Sequence, residues 1–165
     1  MVINRSNIAA GAEAVVVRNG EGQTFRWGPE GTIRIIAGAS TTDRSFSIVE
    51  STEPAGGGAP LHVHHGEAEA FYVLDGTVEL TCGDQTVTVH AGDFAYTPKH
   101  VPHKYVVAGD KPARMLLLFS CPGFERFFVE GGSSLDQPPA GPPNPDVVRQ
   151  LVEKYDMEPL EIPAH

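Results

Sequence analysis

The chain has 165 residues, of which 41% are hydrophobic and 20% charged, an ordinary globular composition long enough to bury a core without staples. Its formal net charge of −9 works against nucleic acid and against anionic membrane surfaces, and no basic run offsets it. No stretch approaches the ~18 apolar residues of a membrane span, and the opening MVINRSNIAAGAEAVVV lacks a signal-peptide core, which together predict a cytoplasmic protein.

In chain order, AVVVRNG, TFRWG, TIRIIAG and SFSIVES read as strands separated by turns. In the last of these Phe46, Ile48 and Glu50 share one face by the two-residue period of a strand. EPAGGGAP is a loop, because three glycines bracketed by prolines do not hold a strand. From Ala68 to Val107 the alternation is clearest. AFYVL runs to a turn at Asp75-Gly76, TVELTC places Val78, Leu80 and Cys82 on one face, and QTVTV repeats the pattern with Val87 and Val89. FAYTP and HKYVV flank the loop KHVP, and RMLLLFS, apolar almost throughout, predicts a strand covered on both faces. Cys82 and Cys121 lie in strand-like segments without CxxC spacing and read as buried free thiols. Short strands divided by Gly, Asp and Pro turns predict an all-β fold, an antiparallel sandwich or barrel.

Beyond Cys121 the texture changes. PGFERFFVEGG sets Phe124, Phe127 and Phe128 at helical spacing, with Gly131 and Gly132 to stop the helix. SLDQPPAGPPNP is a proline-rich connector. PDVVRQLVEKYD predicts a second short helix capped by Asn144, with Pro145 in its first turn. Its apolar stripe of Val147, Val148, Leu151, Val152 and Tyr155 must pack on the barrel or on a partner subunit. The expectation is one domain over 1–165, with a barrel core over about 12–121 and a helical C-terminal segment over about 122–165.

The seven histidines are unequal. His62 and His64 are two apart and point the same way on an extended segment, while Val63 and His65 point the other. Glu69, Phe71 and Val73 share parity on the following strand, as do His103, Tyr105 and Val107 on HKYVV. Three imidazoles and one carboxylate converging from separate strands are costly to bury without a cation and become ligands with one. The donor set suits a divalent transition metal ion, whether Mn, Fe, Co, Ni, Cu or Zn, and leaves a charge near ~+1 that favours an anionic oxygen donor from substrate. Glu67 competes with Glu69 for the ligand position; strand parity and the gap to Gly76 favour Glu69. His65 has the wrong parity and takes a surface or supporting place. His90 and His165 read as solvated, and His100 is undecided.

Two stretches carry a resemblance. HVHHGEAEAFYVLDG resembles the first cupin motif, with His62, His64, Glu69 and Gly76 on its ligand and turn positions. GDFAYTPKHVPHKYVV resembles the second, matching at Gly92, Pro98 and His103, while His100 stands where that motif has a glycine and Val107 where it has an asparagine. The longer run PLHVHHGEAEAFYVLDG, with PGFERFF and a terminal helix ending KYD, resembles the single-domain cupins of quercetin 2,3-dioxygenase type. This resemblance implies an antiparallel jelly-roll barrel with short C-terminal helices, a metal held by His62, His64, Glu69 and His103, and a homodimer.

Three functions follow as expectations. The first is metal-dependent dioxygenation of a small phenolic or enolisable substrate, with dioxygen as co-substrate and Glu69 as proton acceptor. Its pocket walls, chosen by alternation, are Phe46, Ile48, Phe71, Val73, Tyr105, Met115, Leu117 and Phe119. The second is a metal-dependent isomerase, lyase or cyclase using the same cation as a Lewis acid. The third is a non-catalytic binding module whose four ligands close a structural site, although structural zinc usually recruits cysteine and both cysteines lie outside the motifs. The barrel alone does not choose among them.

Overall fold

The computed structural model describes residues 14–136 and 145–160. The strands in chain order are β1 Thr24–Trp27, β2 Gly31–Ala37, β3 Ser47–Glu53, β4 Gly58–His64, β5 Glu69–Asp75, β6 Thr77–Cys82, β7 Gln85–His90, β8 Phe94–Thr97, β9 His103–Val107, β10 Ala113–Phe119, β11 Ser133–Ser134 and β12 Met157–Pro159. Helix α1 spans Glu125–Gly131 and α2 spans Pro145–Lys154. A seven-stranded sheet runs β11-β1-β2-β3-β10-β5-β8, and a five-stranded sheet runs β12-β4-β9-β6-β7. Every pairing is antiparallel. The two sheets with their two short helices form the jelly-roll barrel that the alternation and the motifs predict.

The inner faces follow from parity. Val49, Phe71, Val73, Met115, Leu117 and Phe119 point inward from the larger sheet, and Val78, Leu80, Val89, Tyr105 and Val107 from the smaller, all buried in one core. Each large apolar side chain so buried contributes roughly 1.5–3 kcal/mol. The turn from β5 to β6 needs glycine at Gly76. Its φ is +83, and a Cβ there would lie 2.8 Å from Ala113 Cα.

Four expectations are corrected. EPAGGGAP is not all loop: its last three residues, Gly58, Ala59 and Pro60, open β4. AVVV is not a strand: residues 14–18 have no regular structure, and Val15 and Val16 are exposed. β10 is not covered on both faces. Met115, Leu117 and Phe119 are buried, whereas Arg114 is exposed and Leu116 and Leu118 are half-buried. The inward face of β3 is Ser47, Val49, Ser51 and Glu53, so Phe46 and Ile48 share a face that looks outward.

Helix α1 ends without a left-handed glycine. Gly132 is extended at φ −82, and a Cβ on Gly131 would meet Leu151 Cδ1 at 2.8 Å and the Trp27 ring at 2.9 Å. Leu151 is the buried member of the α2 stripe, while Val147 and Val148 stay exposed. Val152 and Tyr155 pack partly against the core. The cap assigned to Asn144, the last residue His165, and most of the proline-rich connector lie outside the described residues. Among the described residues no helix is long and apolar enough to cross a membrane.

Candidate metal centre

β4 and β9 lie side by side in the smaller sheet with His62 opposite His103. β5, in the larger sheet, begins at Glu69. Because His62, His64, Glu69 and His103 all have inward parity, their side chains meet in the interior at the ends of three strands. One ligand atom from each lies within 4.8 Å of all the others. His62 Nε2 is 3.1 Å from His64 Nε2, and Glu69 Oε2 is 3.1 Å from His103 Nε2 and 3.5 Å from His64 Nε2. Atoms that share an ion at about 2.1 Å are themselves roughly 3.0–3.4 Å apart, so these separations suit a common cation.

The far nitrogens are tied down. His62 Nδ1 donates to the Pro60 carbonyl at 2.8 Å, His103 Nδ1 to the Val101 carbonyl at 2.9 Å, and His64 Nδ1 contacts the Glu67 carboxylate. Each bond seats a ring proton on Nδ1 and turns Nε2 toward the centre. All four side chains are at most 7% exposed. The electrostatics suit a cation. Burial lowers His62 to about 4. Burial also works to lower His64, but hydrogen bonds with Glu67 and Glu69 outweigh it and hold the imidazole up at about 9. The proton kept there and a bound cation answer the same need of two buried carboxylates.

The other residues sort clearly. Glu67, 2% exposed, is not in the four-ligand cluster but stands behind His64. His65 is half-buried on the opposite face of β4, its Nε2 3.2 Å from Glu158 Oε2 and its Nδ1 3.1 Å from His100 Nδ1. His100 occupies the glycine position of the second motif in the left-handed conformation glycine favours, at φ +63. Its N–H donates to the His64 carbonyl at 2.9 Å. The loop therefore keeps its path despite the substitution, at a backbone cost of about 1–2 kcal/mol. His90 is exposed at the end of β7.

Of the eight residues chosen as pocket walls, Phe71, Val73, Tyr105, Met115, Leu117 and Phe119 point inward and are at most 6% exposed. Phe46 and Ile48 do not belong with them, because β3 turns its serines inward. Sequence reasoning missed three features. Phe124 packs edge-on against the His64 ring at 4.9 Å. Ser51 and Tyr105 both hydrogen-bond the buried Glu53. Strand β12 pairs with the ligand strand β4, Met157 opposite His64; three residues containing a proline gave no strand signal.

Residues 49–119 match the family model of the cupin domain. Over 90 residues the chain is 37% identical to the quercetin 2,3-dioxygenase of Bacillus subtilis (strain 168), covering 54% of this chain and 26% of that relative. The chain thus spans about a quarter of that protein's length. KdgF from Halomonas sp. is similar in structure with a TM-score of 0.61 at 19% identity, over 69% of this chain and 99% of that one. The polyketide cyclase RemF from Streptomyces resistomycificus gives a TM-score of 0.56 at 24% identity, over 65% of this chain and 79% of that one. At such identities the structural likeness is one of fold. With both motifs on adjoining strands of a two-sheet antiparallel barrel, the chain carries a cupin domain over residues 49–119.

Proposed function

We propose that the protein is a metal-dependent dioxygenase acting on a small phenolic or enolisable substrate of flavonol type. The observation that carries this reading is the buried convergence of His62, His64, Glu69 and His103, in a chain similar over 90 residues to a quercetin 2,3-dioxygenase. A divalent transition metal ion held by these four residues would acidify a substrate hydroxyl and, if redox-active, support reaction with dioxygen. The chain's own residues supply the rest. Burial works to raise Glu69, yet hydrogen bonds from His103 and His64 hold it at about 2. It is therefore ionised at any working pH, but a weak base. Phe119 and Phe124, with ring centroids 6.0 and 4.9 Å from that of His64, shield the imidazole from solvent.

The test is oxygen uptake by metal-free protein reloaded in turn with Fe, Mn, Co, Ni, Cu and Zn, against a panel of flavonols and simpler phenols. Uptake is expected with at least one redox-active metal and is expected to vanish in His103→Ala. Unchanged oxygen across the panel, with metal content verified by elemental analysis, overturns the reading. Turnover that persists without oxygen in zinc-loaded protein would instead establish a Lewis-acid isomerase, lyase or cyclase.

A further inference from the structure

Two buried glutamates flank His64, and only one faces the metal centre. Glu69 lies on the Nε2 side at 3.5 Å. Glu67, on the opposite side, contacts Nδ1 with Oε1, while its Oε2 accepts the Cys121 S–H at 3.3 Å. His62 and His103 donate their Nδ1 protons to the neutral carbonyls of Pro60 and Val101. His64 alone of the three is backed by a carboxylate. A charged acceptor makes a stronger hydrogen bond than a neutral one and raises the basicity of the opposite nitrogen.

We infer that Glu67 is a positioning residue that makes His64 the dominant imidazole donor of the cluster, with the Cys121 thiol, just past β10, holding the carboxylate in place. This rests on the reading of the four-residue cluster as a metal site. The geometry explains why two glutamates two residues apart are both buried. On a regular strand both would share a face. Here Glu67 lies two residues before the start of β5, just past the bend at 65–66, so its carboxylate reaches His64 from behind while Glu69 enters from the front. It also gives Cys121 a place. Burial and the Glu67 carboxylate push its thiol up to about 11, so it remains a protonated donor rather than a nucleophile or a ligand.

The experiment compares the wild-type protein with Glu67→Gln, Cys121→Ala and Glu53→Gln, the last a buried carboxylate at the far end of β3. Cobalt(II) is the probe, with affinity measured by chelator competition and the ligand field read from the visible absorption bands. Glu67→Gln is expected to weaken cobalt binding about tenfold or more and to shift the bands, the range seen for lost supporting partners of ligating histidines. Glu53→Gln is expected to do neither. If Glu67→Gln does not fold, Cys121→Ala decides, with a band shift expected at a smaller loss of affinity. Glu67→Gln that binds cobalt within twofold of wild type with unshifted bands overturns the inference, as does an unshifted Cys121→Ala where the first variant is unfolded. Wild-type protein that binds no cobalt overturns instead the metal site itself.

Discussion

Glu53 is only 6% exposed at the inward end of β3. Burial pushes its carboxyl up to about 7, although Ser51 Oγ donates to Oε1 at 3.1 Å and the Tyr105 hydroxyl bonds it as well. The folded protein therefore holds this proton more tightly than the unfolded chain, where a glutamate titrates near 4.5. The stability so gained is complete at low pH and is lost as pH rises from about 4.5 through 7, on the order of 3 kcal/mol in all. Glu53→Gln, which carries no charge, is expected to flatten the fall in stability between about pH 5 and 8 and to be the more stable protein at pH 8. Urea unfolding at the two pH values checks this; a slope equal to that of wild type would refute it. The same residue shows why β3 was misread. Its inward face is polar at Ser47, Ser51 and Glu53, and its outward face is apolar at Phe46 and Ile48. Alternation reports which residues share a face, but not which face is buried once the hydrogen bonds are made inside. Ser47 donates to Glu125, Ser51 donates to Glu53, and among the described residues no buried side-chain polar atom lacks a partner. None of these partners lies near in the sequence except Glu53 itself.

At the scale of elements, β5 to β9 were legible because their turns are local and their strands alternate cleanly. β12 was not, since its pairing with β4 spans some ninety residues and owes nothing to its own composition. The outward face of β3, β10, β5 and β8 was also hidden, because apolar residues on it look like core. In the observed register, Ile48, Leu118, Ala70 and Tyr96 form one row across these strands, and Glu50, Leu116, Tyr72 and Phe94 the next. Phe46, Tyr72, Phe94 and Tyr96 are 42%, 40%, 63% and 56% exposed, roughly 400 Å² of aromatic surface at ~200 Å² per side chain. That is about half of the ~800 Å² each partner buries in a stable interface, and the half-buried Leu116, Leu118 and Ile48 extend it. Arg34 and Arg114 beside Glu50 put both signs of charge on the face, which allows charge pairing in a self-complementary two-fold contact. We propose that a second copy of the chain covers this face. Light scattering is expected to give a dimer for the wild type and a monomer for Phe94→Glu/Tyr96→Glu; a monomeric wild type at micromolar concentration would sink the assignment.

On the scale of the whole molecule, the four candidate ligands do more than meet. His62, His64 and His103 belong to the smaller sheet and Glu69 to the larger, so an ion held by all four ties one sheet to the other at a single end of the barrel. Without it, the same place holds two carboxylates and three imidazoles in the interior, compensated by a proton on His64. This separates what spacing could reveal from what it could not. HxH and the glutamate beyond it lie within eight residues, and their parity is local; that His103 arrives opposite His62 is a property of sheet assembly, legible only through the motif. Binding to the folded state alone stabilises by about 4 kcal/mol at a free ion concentration of 1,000 times Kd. For a protein of this size that corresponds to a rise in Tm of roughly 10 °C. Calorimetry of chelated and metal-loaded protein is expected to show this rise in the wild type. His103→Ala is expected to lose most of it, and Glu67→Gln to need about ten times more ion for the same rise. The variants also say where the stability resides. An unfolding temperature indifferent to every metal offered would mean that the two sheets hold together without any tie at this end, and the cluster would then be a buried polar knot rather than a metal centre.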